Sequence, residues 1–298
     1  MSGLNRRDFL RASALAVGTI VVSSGLQGCL SSSSSDDAAR ELSFNHGVAS
    51  GDPLADRVII WTRVTPLDGR SADISVGWEI ATDAAFTDLV HSGTATTGAA
   101  RDYTLKVDAQ NLLPGTTYYY RFKAADVISP VGRMKTLPAG SIDQVRFAVM
   151  SCSNYPAGYF HVYAAAAAES ELDAVIHLGD YIYEYGNGGY ATEDAAALGR
   201  LLPDNNGGEI LTLTDYRRRY ALYRTDTDLQ SLHAAAPFIA VWDDHEVAND
   251  TWRDGAENHN EGEGDFTARK LAALQAYFEW MPVRPASAND EETIYRRF

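Results

Sequence analysis

Three apolar stretches of this chain each end by releasing side chains that could bind a metal ion. Val145 to Met150 runs into Ser151-Cys152-Ser153-Asn154. Ala174 to Leu178 runs into Gly179-Asp180, with Tyr183 three residues on. Phe238 to Trp242 runs into Asp243-Asp244-His245-Glu246, with Asn249 and Asp250 just beyond. Carboxylates and an amide oxygen suit hard divalent ions such as Ca²⁺, Mg²⁺ or Mn²⁺. A thiolate from Cys152 and a phenolate from Tyr183 favour a stronger Lewis acid, Fe³⁺ above all, because both anions stabilise the oxidised state. Asp180 has two oxygens and a central place, so it could bridge two ions. A bridged pair generates hydroxide at mild pH and clamps phosphate oxygens during in-line displacement at phosphorus. His245 is then placed to protonate the leaving oxygen or to hold a phosphate oxygen. Plainer readings exist for each residue taken alone. Asp180 could cap a helix beside core aromatics, Cys152 could be a buried inert thiol, and His245 could merely orient Asp243 or Asp244. Three such releases in succession, at one edge of one sheet, favour the metal site.

The elements that must position these groups are readable in the same stretches. Short apolar runs bounded by glycine and polar residues read as buried strands of a parallel sheet, and ligands collect beyond the carboxyl ends of such strands. Tyr159 to Leu172, with its alanine run, reads as a helix, as does Leu211 to Leu232. A further helix is expected over Ala268 to Trp280, capped by Asp265 or Thr267. Strands alternating with helices predict an α/β domain over 145–298.

Upstream the grammar differs. Val58 to Val64, Ile74 to Ile80, Leu89 to Thr94, Tyr103 to Val107, Thr117 to Ala124 and Gly132 to Thr136 are short strands punctuated by Gly, Pro, Asp and Asn. This spacing predicts an all-β sandwich over 43–138. Leu112, Pro114, Thr116 and Tyr118 are spaced like the tyrosine corner of fibronectin type III domains, in which the Tyr hydroxyl closes a loop onto upstream backbone. The stretch Phe44 to Pro53 shows no strand alternation and reads as a glycine-bearing loop.

At 298 residues the chain is long enough for two domains. Its formal net charge of −15, with Lys106, Lys123, Lys135 and Lys270 as the only lysines, excludes a nucleic-acid-binding surface, which needs a basic face. Residues 1–29 read as an export address. Arg6-Arg7 opens a twin-arginine motif, an apolar run follows from Ala14 to Leu26, and Leu26-Gln27-Gly28-Cys29 is similar to a lipobox that would lipidate Cys29. The run is too short and too interrupted for a membrane-spanning helix. Residues 30–42, rich in Ser and Asp, read as a tether. The expected partners are therefore the twin-arginine export machinery and a membrane reached through Cys29, with the protein in the periplasm or at the cell surface. With Cys29 lipidated, Cys152 has no disulfide partner, so in an oxidising compartment it is either buried or metal-bound.

Taken together, HGVASGDP with WTR, SCSNY, GDYIYEYG and WDDHEVAND make the chain resemble the PhoD-type alkaline phosphatases. The resemblance implies a fibronectin-like N-terminal domain and a metallophosphoesterase domain related to purple acid phosphatases. It also implies a mixed Fe³⁺ and Ca²⁺ site that hydrolyses phosphate mono- and diesters. By motif, Cys152, Asp180 and Tyr183 fall on the iron side, Asp180 bridges, and the calcium side draws on Asp243, Asp244, Asn249 and Asp250. The family domain continues past Phe298, and Ile294 to Phe298 reads as a strand broken off in mid-sheet, so the chain is expected to be the N-terminal part of a longer enzyme. Two alternatives keep different chemistry in play. One is a phosphodiesterase of the phospholipase D type, suggested by the membrane anchor; the other is an inactive surface module that only binds metal.

Overall fold

The computed structural model describes residues 40–287 and 290–298. Two sheets organise it. The first has five strands: β5 (Ile74–Ala81), β6 (Leu89–Thr97), β8 (Thr117–Ala124), β9 (Val127–Ile128) and β10 (Gly132–Lys135). All of its pairings are antiparallel, in the order β10-β8-β5-β6 with β9 on β8. The second has six: β2 (Val48–Gly51), β3 (Arg57–Arg63), β7 (Thr104–Gln110), β11 (Phe147–Met150), β12 (Ala174–His177) and β13 (Phe238–Ala240). Its order is β11-β12-β13-β2-β3-β7, parallel from β11 to β2 and antiparallel from β2 to β7. Near the start of the described residues β1 (Leu42–Ser43) pairs with β4 (Thr65–Pro66) in a short antiparallel ribbon.

The six-stranded sheet changes the expectation for the stretch from Phe44 to Pro53. It holds β2, every residue of which is buried, and β2 joins the parallel strands to the antiparallel ones. The absence of alternation reflects a strand covered on both faces, not a loop. Small residues are required there: a Cβ on Gly51 would sit 2.3 Å from the Pro282 carbonyl oxygen and 2.8 Å from that of Phe238. Next to it β3 alternates between two cores. Val58 and Ile60 face the core shared with the five-stranded sheet, while Trp61 faces the helical side and donates from Nε1 to the Glu279 carbonyl at 2.8 Å. The Tyr118 closure is present, its hydroxyl accepting from the Leu113 N–H at 2.9 Å.

Among the described residues four α-helices share a core with the parallel strands: α1 (His161–Ala167), α2 (Leu213–Tyr223), α3 (Thr227–Ala235) and α4 (Phe266–Trp280). The single helix expected over Leu211 to Leu232 is two. The first ends at Tyr223 with Arg224 as its C-cap, and Asp226 caps the second by accepting from the N–H groups of Asp228 and Leu229. At α4 the capping residue is Asp265, which accepts from the Ala268 N–H at 2.8 Å.

Two further expectations are corrected. β11 is an edge strand whose Phe147 and Val149 are 48% and 59% exposed, so that apolar run is not fully buried. Ile294 to Phe298 forms no strand; instead the Arg296 guanidinium lies 2.8 Å from Asp52, the fully buried residue that follows β2. Arg284 donates to the Asp52 carbonyl from Nη1 and to Asp108 from Nη2, so this C-terminal stretch is tied by charge to the sheet junction.

Candidate metal centre

The loops after β11, β12 and β13 converge at the carboxyl edge of the parallel strands. The first two are stitched together by backbone: the Cys152 N–H donates to the Gly179 carbonyl at 3.2 Å and the Ser153 N–H to the Asp180 carbonyl at 2.8 Å. Cys152 and Asp180 both sit at positive φ, 63° and 54°, where non-glycine residues are uncommon and are held only by firm surroundings. Gly179, with φ 105°, lies against the third loop; a Cβ there would be 2.4 Å from the Asp243 backbone nitrogen. Gly179→Ala is therefore expected to cost roughly 2–5 kcal/mol of stability through combined strain and overlap. Urea denaturation measures it, and a loss below about 1 kcal/mol would show that the loops are not locked as described.

Asp180 is the hub. Its Oδ2 accepts from the Cys152 thiol at 3.5 Å and from the Tyr183 hydroxyl at 3.2 Å, while Oδ1 is buried with no hydrogen-bond partner. Ligand atoms of Asp180, Asp244 and His245 lie within 4.8 Å of one another. Burial raises the Asp180 carboxyl above the usual carboxylate range, with His245 pulling it down and Asp243 and Asp244 pushing it up. Burial, with Asp180 and Cys152 nearby, holds the Tyr183 phenol well above its ordinary value, so in the metal-free chain it stays protonated. An orphaned buried carboxylate oxygen, a thiol and a phenol aimed at its partner oxygen, and an imidazole beside them suit a cation.

His245 is set by Glu184, which the sequence motifs left without a role, and by Tyr183. Its Nδ1 lies 2.8 Å from Glu184 Oε2, and its ring packs 4.2 Å from that of Tyr183. The fully buried Glu184 also accepts from the Asn249 N–H at 2.7 Å and from Asn258 Nδ2 at 2.8 Å. Burial alone would lower the His245 pKa, but the Glu184 hydrogen bond and charge outweigh it and raise it above the ordinary value. Nδ1–H is thus committed to Glu184, which leaves Nε2 for the site.

Glu246 is an anchor beneath the site. Oε2 accepts from the N–H groups of Asp180 at 3.0 Å and Asp243 at 2.8 Å, and Oε1 from that of Tyr181 at 2.6 Å. Burial pushes this carboxyl up to about 8, against the pull of those three donors. The remaining residues singled out in the sequence stand further off. Asp243 is exposed and accepts from the Asp244 N–H. Asp250 is exposed and joins through its backbone N–H, which donates to Asp244 Oδ2. Asn249 turns its amide nitrogen to Glu257 at 3.0 Å, and Asn154 turns its own to the Tyr190 carbonyl. Cys29 lies outside the described residues. Glu184 went unassigned although it stood inside GDYIYEYG, and Glu246, read in WDDHEVAND as one of the metal-competent side chains, instead accepts from backbone N–H groups; nothing local distinguishes a supporting carboxylate from a ligating one. Cys152 is exposed and borders a cleft of about 470 Å³ lined also by Met150, Asn154, Tyr159 and Val162.

Fold and site together define a protein that gathers oxygen, nitrogen and sulfur donors at the carboxyl edge of a mixed sheet. The model of the PhoD-like phosphatase matches residues 147–298, and that of the PhoD-like phosphatase N-terminal domain matches residues 29–138. Alkaline phosphatase D of Bacillus subtilis (strain 168) is 42% identical over 264 residues, which is 86% of this chain and 44% of that protein. A solved structure of PhoD matches with a TM-score of 0.77 at 41% identity, over 86% of this chain and 49% of that one. The chain belongs to the PhoD-like phosphatase family, and it spans less than half the length of these relatives. No helix among the described residues is long and apolar enough to cross a membrane.

Proposed function

We propose that this chain carries the metal-binding part of an exported phosphoesterase that hydrolyses phosphate monoesters and diesters. The observation that carries the reading is Asp180, whose Oδ2 collects Cys152 and Tyr183 while its buried Oδ1 is without a partner and Asp244 and His245 stand within reach. Cys152, Asp180 and Tyr183 would hold Fe³⁺, and Asp180 with Asp244 would hold Ca²⁺ or another divalent ion. Asp243, Asn249 and Asp250 contribute to the divalent side only if their loop turns inward. Bound there, such ions supply Lewis-acid polarisation of a phosphate and a nucleophile at mild pH. The chain's own residues do the rest. Asp180 sets the spacing of the donors, Glu184 fixes the tautomer of His245, and His245 gives a proton to the leaving oxygen. In this reading 43–138 is a fibronectin-like sandwich, 145–298 is part of a metallophosphoesterase domain, 1–29 directs twin-arginine export, and Cys29 tethers the protein to a membrane.

The test is turnover of p-nitrophenyl phosphate, its bis ester and a choline phospholipid by chain loaded with Fe³⁺ and Ca²⁺, with a chelated control. Metal-dependent turnover of the first two supports the reading. Turnover of the phospholipid alone would favour the phospholipase D-type alternative, and no turnover by a chain that binds metal would leave a metal-binding module. His245→Gln is expected to lower kcat by about 10²–10⁴-fold for an alkyl phosphate, and by much less for p-nitrophenyl phosphate, whose leaving group needs no proton. Equal losses on both substrates would assign His245 to phosphate binding instead.

A further inference from the structure

Beneath the donors lies a buried polar cluster of Ser153, Tyr163 and His177 to which the proposed chemistry gives no part. His177, the last residue of β12, is fully buried, with its ring stacked on Tyr163 of α1 and edge-on to Tyr181. Its Nδ1 accepts from the Gly179 N–H at 3.4 Å, which places the ring proton on Nε2. Nε2 lies 3.1 Å from the Tyr163 hydroxyl and 3.4 Å from Ser153 Oγ, and the two hydroxyls are hydrogen-bonded to each other. Burial lowers His177 to about 4, so the ring is neutral and keeps this single-proton pattern at ordinary pH.

The three residues connect one element to both strained turns. Ser153 follows Cys152, and its N–H holds the Asp180 carbonyl; His177 stands two residues before Gly179 and accepts its N–H. Tyr163 joins them from α1. We infer that Ser153, Tyr163 and His177 form a clamp of positioning residues that holds the Cys152 and Asp180 turns in their left-handed backbone conformations, and so sets the distance between thiol and carboxylate. Strained turns persist only where surrounding contacts over-determine them. Residues that orient first ligands typically change metal affinity by about 10–100-fold when removed. The inference rests on the functional reading for its purpose, though not for its geometry.

Two measurements separate the clamp from that reading. In metal-free full chain, Tyr163→Phe keeps the ring and removes the hydroxyl that the other two residues meet. Amide hydrogen exchange at Cys152, Ser153 and Gly179 is expected to rise about 10-fold, the equivalent of one lost hydrogen bond, while amides in the middle of α4 stay unchanged. Ser153→Ala is expected to do the same and Ser153→Thr, which keeps a hydroxyl, to restore the wild-type rates. Exchange that is unchanged, or raised equally everywhere, overturns the clamp. In Fe³⁺-loaded chain, Tyr163→Phe is expected to weaken retention of the ion about 10–100-fold and to shift the visible thiolate and phenolate charge-transfer absorption. Wild-type affinity and spectrum in that variant would overturn the link to the donors. A wild-type chain that binds no ion would instead overturn the functional reading, and the exchange data would still decide the clamp.

Discussion

Asp180→Asn is expected to abolish metal retention and turnover together while leaving the fold intact. The substitution removes the one charge toward which the Cys152 thiol and Tyr183 hydroxyl point, and it leaves Oδ1 or its amide replacement in a buried position without a partner. The loss of activity should exceed the ~10–100-fold typical of a supporting residue, because Asp180 is the shared donor itself. In the metal-free chain the effect on stability has the opposite sign. Burial raises the Asp180 carboxyl above its ordinary value, so the folded chain keeps its proton to higher pH than the unfolded chain does. That contribution is present below the ordinary carboxylate value and is lost as pH rises through the folded one. The metal-free Asn variant should therefore match or exceed the wild type near neutral pH and lack that slope. With metal at 100-fold over its Kd the wild type should gain about 2.7 kcal/mol that the variant does not. Metal analysis with paired melting curves, with and without Fe³⁺ and Ca²⁺, reads both halves. An equal metal-induced gain in the two proteins would remove Asp180 from the centre.

The sequence carried much of this site because the parallel strands write it plainly. β12 and β13 end at His177 and Ala240 inside apolar runs that reach Leu178 and Trp242, and the donors follow close behind, so an apolar run with a polar release marks the carboxyl edge without any tertiary knowledge. Asp265 as the cap of α4 was legible for the same local reason. What stayed hidden depends on partners distant in sequence. β2 reads as a loop because Ala49, Ser50 and Gly51 show no alternation, and the need for small residues comes from Pro282 and Phe238. The break at Asp226 carries an N-cap signal, but the tyrosines and leucines on either side keep one helical rhythm across it. Glu184 and Glu246 look like any other donors in an acidic motif. Their roles follow from what they accept, a histidine 61 positions away for Glu184 and backbone N–H groups 65 and 66 positions away for Glu246.

Glu246 supplies the second large expectation. Glu246→Ala should destabilise the metal-free chain by roughly 3–5 kcal/mol, because it strips the acceptor from three backbone N–H groups at once, each worth about 1–3 kcal/mol when left buried and unmade. Those donors belong to Asp180, Tyr181 and Asp243, so the carboxylate ties the loop after β12 to the loop after β13. Glu246→Gln tests the mechanism against simple loss of volume. The amide keeps the shape and one acceptor oxygen but turns an NH₂ towards a backbone N–H, so it should recover only part of the loss. Urea denaturation of both variants without metal gives the comparison. If Gln restored full stability, shape would be the cause and not hydrogen bonding. If Ala cost less than about 1 kcal/mol, the two loops would be held by packing alone. Because Asp180 and Asp243 hang from the same carboxylate oxygen, metal affinity should fall in both variants in step with stability, with His245 still seated on Glu184.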